Sequence, residues 1–175
     1  MKSIRFTSIL LLIPFYLFSQ EWKAFTDTSI LFTAKYPADW ANKIKEGKRV
    51  FFTSPPDNAS DNFYENVNIS VTTNPDFGTK VKIKDLFPAV TDQIKSSFTD
   101  FTDEGQRFFR WNNVDASEII YSGLNKSDET IRIRIIQWFC FYKARLYTVT
   151  FTSLASNAVH TATAKKIMAS IVFRP

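Results

Sequence analysis

The sequence predicts an α+β layered domain built on an antiparallel sheet. Three observations carry that prediction. Short runs rich in β-branched and aromatic residues follow one another through most of the chain. The later runs are joined by turns too short for a crossover, so they pair antiparallel. Only two well-separated stretches show helical spacing, and helices set apart from an antiparallel sheet pack on it as layers.

Taken in order, Ser29–Tyr36 ("SILFTAKY") reads as the first strand, and Pro37 stops it because proline has no ladder N–H. Arg49–Thr53 and Asn66–Thr73 are the next two. In the second of these, Val67, Ile69 and Val71 alternate with Asn68, Ser70 and Thr72, the period of a half-buried strand. The polar loop "SPPDNASDNFYE" joins them. Asp85 is placed to cap a helix with Pro88 in its first turn. Leu86, Val90, Ile94 and Phe98 form its apolar stripe. Strands follow at Gln106–Trp111 and Ser117–Gly123, and the turn "LNKSDET" leads into the longest strand, Ile131–Tyr142. Lys143, Ala144 and Arg145 turn it back into "LYTVTFTS", where Tyr147, Val149 and Phe151 alternate with threonines. Ser156 is expected to cap a last helix that turns Val159, Ala162, Ala164, Ile167, Met168 and Ile171 towards the sheet.

Residues 1–19 stand apart. Lys2 and Arg5 precede an apolar run from Ile9 to Phe18, short for a bilayer span and closed by Ser19 and Gln20. The segment reads as a signal peptide, leaving residues 20–175 as a single periplasmic or secreted domain with no stable membrane anchor. An uncleaved anchor is the alternative, because Pro14 interrupts the apolar run. The ending resembles signal peptides of Bacteroidota. The signal takes two of the 22 basic residues and none of the 17 acidic ones, leaving an excess of three positive charges. So small an excess bears on solubility and, with no basic run, gives a nucleic-acid partner no support; none is expected. Cys140, the single cysteine, rules out an internal disulfide. Among aromatics its thiol is expected to be desolvated and inert.

No catalytic constellation is legible, and the chain is expected not to be an enzyme. His160 is the only histidine and sits apart from Cys140 in sequence. It reads as a packing residue, and a histidine zinc site fails on ligand count. The four glycines stand singly, so no phosphate loop exists. Two weaker candidates remain. Asp57, Asp61 and Glu65 crowd one loop and offer hard oxygens to calcium or manganese, though without the spacing of an EF-hand. The competing reading is a solvated loop and no cofactor. Arg132, Arg134 and Trp138 share one face of the longest strand, opposite Ile131, Ile133 and Ile135. That face suits an anionic partner with tryptophan as anchor; the alternative is arginine stems covering the core.

The segments "LFTAKYPADW", "VFFTSPPDN", "ENVNISV", "IIQWFCFYKARLYTVTFTS" and "IMASIVF" together resemble the PsbP/Mog1 superfamily, over nearly all of residues 28–174. The resemblance implies an αβα sandwich around a central antiparallel sheet. It also implies that Tyr36 and Trp40, with Pro37 between them, plug one end of the core. Members of that group are mostly non-enzymatic and do different jobs, so function transfers poorly. The expectation is an exported, non-catalytic accessory protein that binds a protein or envelope component. A small-ligand or divalent-metal module is the alternative.

Overall fold

The computed structural model of the 175-residue chain describes residues 20–45, 49–126 and 128–175. The segment read as an export signal lies outside the described residues, as does Gly47. In chain order the elements are β1 (Trp22–Asp27), β2 (Phe32–Pro37), β3 (Ala41–Lys45), β4 (Arg49–Thr53), β5 (Asn66–Thr73), α1 (Ile83–Ser96), β6 (Phe98–Trp111), β7 (Val114–Asn125), β8 (Asp128–Tyr142), β9 (Arg145–Leu154), α2 (Thr161–Ala169) and β10 (Val172–Phe173).

Seven strands form one antiparallel sheet in the order β3-β4-β5-β9-β8-β7-β6, and β1-β2-β10 form a second, smaller one. The large sheet is covered on both faces. On one, Ile83 and Phe87 of α1 meet Ile119, Tyr121, Ile135 and Phe139. On the other, Ala164, Ile167 and Met168 of α2 and Phe32 of the small sheet meet Ile136, Val149 and Phe151. The expected αβα sandwich is therefore present, its second outer layer completed by the small sheet. Alternation explains the faces. Along β9, Tyr147, Val149 and Phe151 point to the α2 side and are fully buried or nearly so.

Tyr36 and Trp40 do close one end of the core. The Tyr36 ring packs on Phe52 at 4.9 Å, and its hydroxyl accepts a hydrogen bond from Asn42 Nδ2 at 2.8 Å. Trp40 N donates to Pro37 O at 3.1 Å, a tight turn that swings the indole inward, where it is 4% exposed.

Several expectations need correction. Asp85 is not the cap of α1 but its third residue, and accepts the backbone N–H of Lys82 at 3.2 Å. Pro88 consequently falls in the second turn, where it withholds a hydrogen bond from the preceding turn. Phe98 has left the helix and opens β6. Ser156 does not cap α2. Asn157 closes a turn on the N–H of Val159 at 3.0 Å, and the helix starts only after His160. That delay rotates Val159 and Ala162 to solvent and leaves Ala164, Ile167, Met168 and Ile171 inward.

Candidate functional site

The arginine face comes first, because the structure employs it internally. Arg132, Arg134 and Trp138 lie on the same face of β8, as alternation requires, but each reaches across β7 or onto it. Arg132 Nη1 lies 2.5 Å from Asp100 Oδ2 and its Nη2 donates to Thr102 Oγ1 at 3.1 Å. Arg134 Nε donates to Glu104 Oε2 at 2.6 Å. Trp138 is only 6% exposed and donates through Nε1 to Glu118 Oε2 at 2.6 Å. The other oxygen of Glu118 accepts from Arg107 Nε at 2.6 Å. Burial would raise the Glu118 carboxyl, but the hydrogen bonds from Arg107 and Trp138 prevail and hold it below the usual carboxylate range. Trp138 is thus a core residue rather than an exposed anchor. These side chains staple β6 to the sheet where its own register is broken, between Thr99 and Thr102 and between Asp103 and Gly105. At the second break Gly105 holds a φ of +137°, which a residue with a Cβ adopts only under strain.

The carboxylate loop is also occupied. Asp57 accepts from Asn157 Nδ2 at 2.5 Å and lies 2.8 Å from His160 Nε2. That nitrogen makes no aligned hydrogen bond. Asp61 accepts the backbone N–H groups of Asp57 (2.9 Å) and Phe63 (3.0 Å), which hold its carboxyl below the usual range. Glu65 is 1% exposed and accepts from Ser54 Oγ at 3.1 Å and Asn157 Nδ2 at 3.3 Å. Among the described residues, no group of three or more histidine, cysteine, aspartate or glutamate side chains is placed to hold a metal ion. Asp57 and Glu65 share the Asn157 amide, which ties the loop to the segment before α2, while Asp61 accepts the loop's own backbone. The T-shaped contact of Trp40 with His160 at 5.5 Å seals the cluster, confirming His160 as a packing residue.

Cys140 is fully buried, and desolvation pushes its thiol well above the ordinary range. It is chemically inert in the folded chain.

The concave surface with unspent chemistry lies elsewhere. A groove of about 1040 Å³ opens between the loop leading into α1, the tip of the β6–β7 hairpin and the tip of the β8–β9 hairpin. Phe77, Phe108, Phe109, Phe141 and Tyr142 supply aromatic walls, and Lys82, Lys84, Arg110 and Lys143 a cationic rim. Phe77 stacks on Phe141 at 4.7 Å, giving one firm wall. Phe108 touches Phe87 of α1 at 5.4 Å yet stays 57% exposed, a large apolar side chain held at the groove mouth. Arg110 is engaged by Asp115 at 2.6 Å and by the carbonyl of Asn113. Lys82 reaches the Gly78 carbonyl at 2.8 Å. Lys84 and Lys143 have no carboxylate partner among the described residues. The β8–β9 turn at the rim runs through Lys143 and Ala144 with φ of 47° and 57°. Such a turn favours Asn-Gly, so the chain holds strained residues at the groove edge.

A second, smaller cleft of about 330 Å³ lies between the C-terminal half of α1 and the sheet, lined by residues including Gln93, Tyr121, Gln137 and Thr148. It lacks a charged rim.

Sequence reasoning missed the groove because its residues come from three distant segments. The available signals were the doublet Phe108-Phe109 between arginines and the basic turn at Lys143. Each is unremarkable alone.

No family model matches the sequence, and no curated protein sequence matches it. Solved structures do. Cyanobacterial PsbP (CyanoP) from Synechocystis is 11% identical, with a TM-score of 0.60 over 90% of this chain and 95% of that one. The Ran-binding protein Mog1p of Saccharomyces cerevisiae is 7% identical, with a TM-score of 0.61 over 89% and 96%. LpqN of Mycobacterium tuberculosis, described as involved in cell envelope biogenesis, is 12% identical, with a TM-score of 0.63 over 89% and 91%. Identities this low speak for shared architecture alone. Matched over nearly the full length of all three, the chain has the PsbP/Mog1-like fold.

Proposed function

We propose that the protein is an exported, non-catalytic accessory module that binds a protein or envelope component through the basic aromatic groove. The observation that carries this reading is the groove itself. Exposed Phe108 lines the groove together with Lys84 and Lys143, neither of which has a carboxylate partner among the described residues, so an apolar side chain and two available cations share one concave surface. An aromatic anchor ringed by charge is the composition of a recognition hot spot. Among the similar structures Mog1p is a Ran-binding protein, which fits a binding role, and LpqN is involved in cell envelope biogenesis, which fits an envelope setting. Export rests on residues 1–19 of the sequence.

The test is photo-crosslinking in the host, with a benzophenone amino acid replacing Phe108 and, as control, exposed Val159 at the approach to α2. A discrete crosslinked species from position 108 and none from 159 supports the reading. No species, or the same species from both positions, overturns it. The mass of the chain recovered from the envelope checks export separately: processing near Ser19 or Gln20 is expected.

A further inference from the structure

The groove joins an apolar slot to a cationic rim. Its apolar part stands on the α1 face of the large sheet. Phe108 on β6 leans on Phe87 of α1, and Phe141 on β8 stacks with Phe77 of the loop leading into α1. Only β7 runs between those two strands, so the aromatic walls stand two strand spacings apart, about 10 Å at the backbone. Ile83 lines the same space. The rim carries Lys82, Lys84, Arg110 and Lys143 against one carboxylate of the lining, Asp115, which Arg110 already holds.

Main-chain groups around the groove are already paired. Gly78 N donates to Val81 O at 2.9 Å, and the N–H groups of Lys80 and Val81 both donate to Asp76 O at 3.0 Å. Trp111 and Val114 close the β6–β7 ladder, and Tyr142 and Arg145 close the β8–β9 ladder. The open edge of β6 lies on its side away from β7, and so away from the groove. A peptide laid in the slot would bury N–H and C=O groups with no ladder to receive them. A hydrocarbon tail has no such groups and gains from every methylene it covers.

We infer that the groove's ligand is a single-chain amphipathic anion, taken up as a monomer. Its unbranched apolar tail lies between Phe108 and the stacked pair Phe77 and Phe141, and its carboxylate or phosphate head is taken by the rim lysines. This rests on the groove being the binding site, as proposed above. Lys84 and Lys143 have no carboxylate partner among the described residues, so an arriving anion displaces no internal pair. The volume of about 1040 Å³ stands at the upper end of small-molecule sites, about 300–1000 Å³. A second copy of the chain is the poorer occupant. In an isologous pair the same patch meets itself, and this patch is predominantly cationic.

The probe is dodecanoate below its micelle concentration, compared with octanoate and with dodecyltrimethylammonium. Each is titrated into the protein purified from its host, with binding read by calorimetry and located by NMR shifts of the aromatic rings. Dodecanoate is expected to bind at least about tenfold more tightly than octanoate, through its longer tail. The same margin of at least about tenfold is expected over the cationic amphiphile. Lys84→Glu with Lys143→Glu should abolish the preference for the anion, and Phe108→Ser should weaken both dodecyl probes alike. Lys35→Glu with Lys43→Glu, an equal charge change at exposed positions of β2 and β3, should alter neither. All variants should melt within a few degrees of the native protein. No saturable binding of dodecanoate, indifference to tail length or head-group sign, or an equal effect of the two lysine pairs overturns the inference. So does tighter binding of the blocked tripeptide Glu-Phe-Glu, a concentration-dependent dimer that buries Phe108, or binding to phosphatidylglycerol vesicles without binding of the monomer. A protein crosslinked from position 108 in the host would keep the groove as the binding site while the amphiphile fell, so the two readings are judged separately.

Discussion

Glu118 is buried on β7 with each carboxylate oxygen holding one donor: Arg107 Nε and Trp138 Nε1, both at 2.6 Å. Glu118→Gln keeps the shape but replaces one acceptor oxygen with an NH2 group. One of the two donors must then face a donor. The Trp138 nitrogen is enclosed and keeps the remaining oxygen, because an unpaired buried N–H costs about 1–3 kcal/mol. Arg107, whose side chain is 58% exposed, turns to water and loses a charge-assisted bond discounted by solvent. The expected loss is about 1.5 kcal/mol, or about 3–6 °C in Tm for a domain of this size. The pH dependence sharpens the test. The hydrogen bonds from Arg107 and Trp138 hold the folded carboxyl below the ordinary glutamate range, so its contribution is complete above that range and is lost as pH falls through the folded pKa. Thermal melts of the native and Glu118→Gln proteins at neutral pH and at about pH 3 should therefore show a gap that narrows on acidification. A gap of constant size, or a variant as stable as the native protein at neutral pH, would refute the buried ion-pair account.

Other expectations concern the site and the core. Lys143→Asn with Ala144→Gly relieves two positive-φ residues in the β8–β9 turn and should raise stability by about 1 kcal/mol, read by urea unfolding. Tyr147→Phe removes the hydroxyl that donates to the buried Ile30 carbonyl at 2.8 Å, so a loss of about 1 kcal/mol is expected from the same measurement. Cys140 should resist a thiol reagent in the native protein and react fully in denaturant; rapid native reaction would contradict its burial. Calcium or manganese at millimolar levels should leave Tm unchanged, since Asp57, Asp61 and Glu65 already hold internal donors. A rise in Tm that Asp61→Asn abolishes would show that the loop rearranges into a cation site.

Much of the fold was legible where the pattern is local. Asn66–Thr73 alternates cleanly and is a strand over those residues. The longest strand, the β8–β9 hairpin and two helices were also readable, because apolar periodicity announces both the element and its buried face. Residues 98–105 were not: Asp100, Asp103, Glu104 and Gly105 look like a turn, yet they belong to β6 because arginines from β8 pay for the acids there. β1 and the wholly exposed β3 were missed as well; β3 has no buried residue to set a period, and only its neighbour β4 makes it a strand.

The candidate sites divide along the same line. Alternation correctly put Arg132, Arg134 and Trp138 on one face. It could not show that Asp100, Glu104 and Glu118 wait on that face to neutralise or satisfy them. The acidic loop was visible as composition, but its turning inward onto Asn157 and His160 was not. What the sequence determined by itself is element type, facing and layer order, since these follow from backbone sterics and burial over a few residues. The tertiary structure alone decided which charges are spent and which remain free. Partners separated by tens of residues meet only once the strands are in register, and at this domain's surface a lysine matters for binding only if no carboxylate has reached it first.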